Sequence, residues 1–340
     1  MSKKNSSVLN PKKVLEFSNK ISEIYLSFKF KLEKKLNSKA FLVGVSGGPD
    51  SLALTALSQI YKREKKSKAF FVLIDHGIRK NSKAEANSVK KLLKKYGIFL
   101  NIIRNKELIK KNVQNEARKI RYKLLLNFCK KKKIKFILTA HHSDDQIETF
   151  LIRLSRGSGV QGLSSMNKVT KLENNISLFR PLLELKKKDL TYLAKKVFGK
   201  VFKDPSNEDE KYLRTRVRNL KIKLEKSGIH HNQIIKSIDN ISATRDTLNQ
   251  YTERAIKSCV DKKKFKTLID LKKLSQEPEE IKLKVLSYSI KNFSKSYYPP
   301  RSKKVLNLLK QLKMRKKSKF TLGGCLLDRT GNYLEITREF

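Results

Sequence analysis

The sequence predicts an α/β protein: a parallel sheet flanked by helices, then a mostly helical C-terminal domain that ends in a β-hairpin. Three observations predict it. Short apolar runs alternate with helical patterns between about residues 41 and 155, which argues for βαβ units. The chemically capable residues cluster just after those apolar runs, where parallel sheets bind ligands. Beyond about Val160 the pattern changes, and helical spacing comes to dominate.

Residues 1–10 read as a basic tail. Leu15, Phe17, Ile21, Ile24, Leu26 and Phe30 recur at helical spacing, so a leading helix is expected up to Leu36. Phe41–Val45 reads as a buried strand, followed by the polar turn Ser46-Gly47-Gly48-Pro49-Asp50-Ser51 and a helix to about Tyr61. Further strands are expected at Ala69–Asp75, Phe99–Arg104 and Phe136–Ala140, and helices at Ser82–Tyr96, Asn112–Lys133 and Asp144–Ser155. Gly159–Met166 reads as a loop, Ile176–Leu183 as a strand entering a turn, and Lys186–Val197 as a helix. After Asp204-Pro205-Ser206-Asn207, helices are expected at Lys211–Ser227, Asn232–Val260, Glu277–Phe293 and from Pro299-Pro300 to Met314. Phe320–Leu327 and Tyr333–Thr337 flank Asp328–Asn332, a hairpin signal. The expected division is residues 1–37 (tail and leading helix), 38–210 (nucleotide domain) and 211–340 (helical C-terminal domain), with the boundary near Asn207–Tyr212.

A chain of 340 residues suggests two domains or more. Lys and Arg number 79 against 31 Asp and Glu, a net charge of +48 that points to a polyanionic partner, nucleic acid foremost. Lysine is abundant throughout, so part of that charge reads as background composition. Cys129, Cys259 and Cys325 stand apart with no C-x-x-C, which argues against a disulfide framework or a zinc ribbon. No apolar segment resembles a signal core or reaches membrane length, so a soluble cytoplasmic protein is expected.

Two stretches carry chemistry. In Ser46–Ser51, a strand, a glycine turn and a helix start in succession present free backbone N–H groups to an anion. Gly47 and Gly48 allow close approach, and Ser46 and Ser51 add hydroxyls. There is no Walker lysine. His141-His142-Ser143-Asp144-Asp145-Gln146-Ile147-Glu148 starts at a strand end and enters a helix. Asp145 and Glu148, three residues apart, share one helical face. Such acids could hold Mg²⁺ with ATP or grip an ammonium group. Complementing the helix dipole is the plainer reading for any one of them.

The S-G-G-x-D-S string resembles the pyrophosphate loop of the N-type ATP pyrophosphatases, the PP-loop fold of the adenine nucleotide α-hydrolase type. HHSDDQIETFLIRLSRGSGVQGLSSM, with DHGIR at Asp75–Arg79, NEARKIRY at Asn115–Tyr122, FRPLL at Phe179–Leu183, and DPSN with LRTRVRN at Asp204–Asn219, narrows the resemblance to the tRNA(Ile)-lysidine synthetase family. The pieces occur in the family's order over about residues 40–220, and TLGGCLL at Thr321–Leu327 is similar to a further segment. The resemblance implies a ligase that joins free L-lysine to C2 of the wobble cytidine of a tRNA(Ile) with a CAU anticodon, through an adenylated cytidine.

ATP and Mg²⁺ are the implied cofactors, and tRNA and lysine the implied partners. No membrane partner is implied, and a homodimer is left open. The resemblance assigns Ser46, Gly47, Gly48, Pro49, Asp50, Ser51, Asp75 and His76 to ATP, with Asp50 also on Mg²⁺. It assigns Asp145 and Glu148 to lysine. Asp50, His141, Asp145, Glu148 and Arg121 form the implied catalytic set, with Arg118 and Arg156 as further phosphate candidates. Arg214, Arg216 and Arg218 are tRNA-binding candidates; they alternate along the expected helix and so do not share one face. Tyr297 and Tyr298 are stacking candidates. The chain resembles the family's shorter-tailed forms. A tRNA-thiolating enzyme on the same fold and a catalytically silent tRNA-binding protein are the two other readings.

Overall fold

The computed structural model describes residues 18–37, 39–79, 81–107, 113–202, 211, 213–296, 299–314 and 317–339. The chain forms two compact units, the first ending at Asp239 and the second running from Asn240. The expected boundary at Asn207–Tyr212, the DPSN segment and Tyr297-Tyr298 lie almost wholly outside the described residues.

The first unit is a six-stranded sheet between two helical layers. Its strands are β1 (Phe41–Val45), β2 (Ala69–Asp75), β3 (Leu100–Arg104), β4 (Phe136–Leu138), β5 (Val169–Lys171) and β6 (Ser177–Phe179). Their spatial order is β3-β2-β1-β4-β6-β5. All neighbouring pairs are parallel except β5–β6. β1 is covered on both faces, so it is apolar throughout rather than alternating. The chain leaves β1 for β2 on one side and later returns to place β4 on the other. The crevice between β1 and β4 is therefore the point where strand order reverses, the usual ligand position in such sheets.

Helices α1 (Asn19–Leu36), α2 (Pro49–Glu64), α3 (Ser82–Lys95) and α7 (Lys187–Phe198) share one core with β1 and β2. Ser18 starts α1 by accepting from the Ile21 N–H. Ile21, Ile24, Tyr25, Phe28, Leu32 and Leu36 face the core, whereas Leu26 and Phe30, read in the sequence as part of that face, are exposed. α2 is buried without interruption from Ser51 to Tyr61, so the helix after the glycine turn is clamped along most of its length. On the opposite face, α4 (Val113–Lys132) brings Leu125 and Cys129 against Leu42, Val72, Ile137 and Leu178.

α5 (Ser143–Leu154) follows β4, and α8 (Leu213–Lys226) packs against it. The expected loop at Gly159–Met166 contains a single helical turn, α6 (Val160–Leu163). Arg153 organises it by donating to the carbonyls of Gly162 (2.6 Å) and Ser165 (2.9 Å). Strand β5 gave no sequence signal: it is a three-residue edge strand of Val, Thr and Lys. α9 (His231–Cys259) gives its first turns to this unit and the rest to the second.

The second unit contains β7 (Val260–Lys262), β8 (Thr267–Asp270), α10 (Leu271–Ser275), α11 (Glu279–Phe293), α12 (Ser302–Met314), β9 (Lys317–Thr321), β10 (Cys325–Thr330) and β11 (Tyr333–Arg338). Its strands form one antiparallel sheet in the order β7-β8-β11-β10-β9. The expected terminal hairpin is present as β10–β11, with a loop of only Gly331 and Asn332 between Thr330 and Tyr333. Phe320–Leu327 is not one strand. The chain reverses at Gly323-Gly324, both at positive φ (66° and 74°), a conformation open to glycine at no steric cost. β7 and β8 went unread because both are short and lie in a lysine-rich stretch.

Candidate active site

The glycine turn is braced by its own serines. Ser51 Oγ accepts from the Ser46 N–H (3.1 Å) and the Ser46 hydroxyl (3.1 Å), and donates to the Gly48 carbonyl (3.0 Å). Gly47 has φ +87°, and a Cβ there would stand 2.7 Å from Val89 Cγ2. Gly48 is the N-cap of α2 and Pro49 its first residue, with no side chain capping the first turn. The free N–H groups and the positive end of a buried helix thus face the crevice beyond β1. Asp50 sits in that first turn. Its Oδ1 is buried without a hydrogen-bond partner, and its Oδ2 lies 3.5 Å from His142 Nε2.

α5 begins beside it, and His142, rather than His141, organises its start. The Asp145 N–H donates to His142 Nδ1 (3.3 Å), and the His142 N–H donates to Asp145 Oδ2 (3.1 Å). This is a capping box with an imidazole in the role usually taken by Ser or Thr. Because Nδ1 accepts, the ring proton sits on Nε2, which faces Asp50 Oδ2 and Asp145 Oδ2, both at 3.5 Å. Burial opposes a charge on this ring, but the bond to Asp50 and the charges of Asp145 and Asp144 outweigh it and raise its pKa. Charging the ring would take Nδ1 from the Asp145 N–H and so cost the helix its cap.

The three acids of α5 have different surroundings. Asp144 pairs with Lys221 and accepts from the Lys187 N–H (2.9 Å), tying α5 to α7 and α8. Burial acts to raise its pKa, but these partners outweigh it and bring the value down to about 2. Glu148 is buried and meets Arg218 through Nε–Oε1 at 2.6 Å and Nη2–Oε2 at 3.4 Å. Asp145 is bound through Oδ2 to the cap it shares with His142. His231 Nε2 lies 3.1 Å from Ser143 Oγ and its Nδ1 lies 3.9 Å from Asp144, which superficially resembles a Ser-His-Asp triad. Ser143 spends its proton on the Leu185 carbonyl, however (2.9 Å), so the cluster is a structural tie.

A second group lies at the end of β2. Asp75 is buried and accepts from the Gly77 N–H (3.1 Å) and Arg104 Nε (3.3 Å). Arg121 Nε donates to His76 Nε2 at 3.4 Å, and His76 Nδ1 is buried without a partner. Burial and the Arg121 charge bring the His76 pKa down to about 4. His141 contacts Thr139 Oγ1 (2.9 Å). Burial, with the charges of Arg180, Arg118 and Arg214, brings its pKa down to about 3.

The structure therefore joins Asp50 and Asp145 through His142, and pairs Glu148, one turn further along α5, with Arg218. Burial acts to lower the Arg218 pKa, but Glu148 and the charges of Asp145 and Asp50 outweigh it and raise it. Asp75, His76 and Arg121 form a second group. Of the three α8 arginines, Arg214 and Arg218 are one turn apart on the same face. Arg216 is on a different face, where it donates to the Lys211 carbonyl (3.2 Å) and borders an apolar cleft with Leu151, Leu154 and Leu220. Sequence reasoning singled out neither His142 nor Lys221, and it did not place Arg218, the tRNA-binding candidate, against Glu148. The acid three residues after His142 was the available sign of a capping box.

The PP-loop domain family ATP_bind_3 matches residues 17–224 of this chain. The "tRNA(Ile)-lysidine synthase" of Wolbachia pipientis wMel is 38% identical over 315 residues, covering 89% of this chain and 73% of that protein. The chain belongs to the tRNA(Ile)-lysidine synthase family. The family member from the Wolbachia of Brugia malayi is 36% identical over 305 residues, covering 87% of this chain and 70% of its own. Among solved structures, the U34-tRNA thiolase NcsA of Methanococcus maripaludis, with its [4Fe-4S] cluster, shares the fold: TM-score 0.56 and 20% identity over 66% of this chain and 79% of that one. In the present family member all three cysteines are free and buried. Burial pushes the Cys129 thiol up to about 12, far from the reactive thiolate range.

Proposed function

We propose that this protein joins the ε-amine of free L-lysine to C2 of the wobble cytidine of a tRNA(Ile) bearing a CAU anticodon, at the expense of ATP. The observation that carries this reading is the meeting of the glycine turn with Asp50, His142 and Asp145, one turn from Glu148 on α5, at the reversal of strand order, in a chain of this family. Use of ATP follows from the PP-loop domain itself.

In the first step the cytidine O2 attacks the α-phosphorus of ATP, the α–β phosphoanhydride breaks and pyrophosphate leaves. In the second, the lysine nitrogen forms a bond to C2, the C2–O2 bond breaks, AMP leaves with that oxygen, and the amine gives up a proton. The turn amides of Ser46–Ser51 would hold the phosphates. Asp75 and His76 would border the nucleotide, with Arg121 fixing the His76 ring. Asp145 and Glu148 would receive the lysine ammonium, and Asp145, whose charge no Lys or Arg ion pair engages among the described residues, would take the proton. His141, neutral and set among arginines, would face the activated cytidine, and Arg214 a tRNA phosphate.

Asp50 fits a magnesium ion: Oδ1 is a buried oxygen with no partner, beside the phosphate turn. No group of three or more His, Cys, Asp or Glu able to hold a metal occurs among the described residues, so the ion would depend on Asp50 and on ATP oxygens. It would supply charge neutralisation on the phosphates. No described helix is long and apolar enough to cross a membrane, and we infer action in the cytoplasm.

The test is transfer of radiolabelled lysine to an unmodified tRNA(Ile) transcript with a CAU anticodon. Label should appear only with ATP and vanish when the wobble cytidine is replaced. AMP release without label would refute lysine as the nucleophile.

A further inference from the structure

Glu148, the carboxylate assigned to the lysine ammonium, is already held by a cation of this chain. Both its oxygens face Arg218, and among the described residues it has no other hydrogen-bond or ion-pair partner. The side chains of the pair are unequally covered, 5% exposed for Glu148 and 30% for Arg218. The guanidinium is therefore the half of the pair that reaches solvent. Asp144, one turn earlier on α5, differs: Lys221 pairs with one of its oxygens and the Lys187 N–H donates to the other, so it is held from two sides.

We propose that Arg218 is the resident occupant of the ammonium seat, and that incoming lysine must displace it. This rests on reading Glu148 as lysine-binding. The physical reason for such an occupant is desolvation: a carboxylate this buried does not remain ionised alone, so the seat requires a cation at all times. A guanidinium and an ammonium both satisfy a carboxylate, the first as a planar fork and the second as a point charge. Lysine then binds with its intrinsic affinity reduced by the fraction of time the guanidinium is away, and α8, which carries Arg218, sets that fraction. The opposing arrangement is that Glu148 aims Arg218 at a nucleotide phosphate while lysine binds elsewhere.

Equilibrium dialysis of radiolabelled L-lysine against the full chain, without tRNA, separates the two. Arg218→Met is expected to bind lysine at least about tenfold more tightly than wild type, as expected if the guanidinium holds the seat some nine-tenths of the time. Glu148→Gln should bind it more weakly, and the double variant should match Glu148→Gln with no gain. Weaker Glu148→Gln binding without a gain in Arg218→Met overturns the displaced-arginine proposal alone. Unchanged binding in Glu148→Gln overturns the lysine seat and the proposal with it. If Arg218→Met does not fold, ¹⁵N spectra of the wild type decide. Saturating lysine should move the Arg218 Nε–H resonance, identified by its loss in Arg218→Lys, and a resonance that stays in place overturns the proposal.

Discussion

Asp144→Asn is expected to destabilise the first unit by about 2 kcal/mol at pH 7, from a folded-state pKa of about 2 against an ordinary 3.8 at 1.36 kcal/mol per unit. The conversion is warranted because both partners are well covered, with side chains 18% and 19% exposed for Asp144 and Lys221. Asparagine keeps an oxygen for the Lys187 N–H and loses only the charge. A carboxylate with a depressed folded pKa stabilises above its unfolded pKa, and that stability disappears as pH falls through the folded value. The difference between wild type and variant should therefore be full above about pH 5, fall to roughly half near pH 3 and approach zero below pH 2. Urea titrations followed by circular dichroism measure it, since guanidinium salt would screen the ion pair. A double-mutant cycle with Lys221→Met should return most of the effect as coupling. Equal urea midpoints at pH 7, or a loss that persists undiminished in acid, would refute the account of Asp144 as the tie between α5, α7 and α8.

Gly47→Ala meets both a positive φ and the Val89 methyl, so pyrophosphate exchange should fall sharply while tRNA binding by filter retention changes little. Asp50→Ala should abolish adenylation with tRNA binding intact, and unchanged AMP release would remove the turn from its assigned role. His76 and His141, held neutral by burial and neighbouring arginines, should show C2–H resonances that do not titrate between pH 5.5 and 8. The unfolded chain takes up their protons first, so their contribution to stability should decline as pH drops below about 6.5. Replacing Cys129, Cys259 and Cys325 together with serine should cost stability and leave ATP-dependent lysine transfer in place; loss of transfer in folded protein would revive sulfur chemistry.

The sheet was readable because its central strands β1, β2 and β4 are apolar runs followed by chemically distinctive residues. Ala69–Asp75 begins and ends where the sequence placed it. The glycine turn and the acids of α5 were readable for the same reason. Pairings across distance were not. Nothing in the alternation of Arg214, Arg216 and Arg218 shows that Arg218 reaches Glu148, seventy residues earlier. The choice between His141 and His142 turned on which ring meets the helix N-terminus, a matter of backbone angle rather than residue type. In the second unit, β7 to β9 are too short and too lysine-rich to stand out, and only their pairing on either side of the β10–β11 hairpin makes them part of a sheet.

Among the described residues, Asp75 and Glu148 are the only buried acids, and both lie at the ligand edge of a chain with net charge +48. The two proposed substrates would therefore respond oppositely to ionic strength. A tRNA is drawn in by the basic surface, and its affinity falls steeply as salt rises. A lysine cation is repelled by that same surface at long range, which salt screens beyond about 8 Å at physiological strength, whereas its attraction to the enclosed acids is screened far less. At subsaturating concentrations of both, the rate of lysine transfer should rise and then fall with added salt, peaking where the cation can approach and the polyanion has not yet been released.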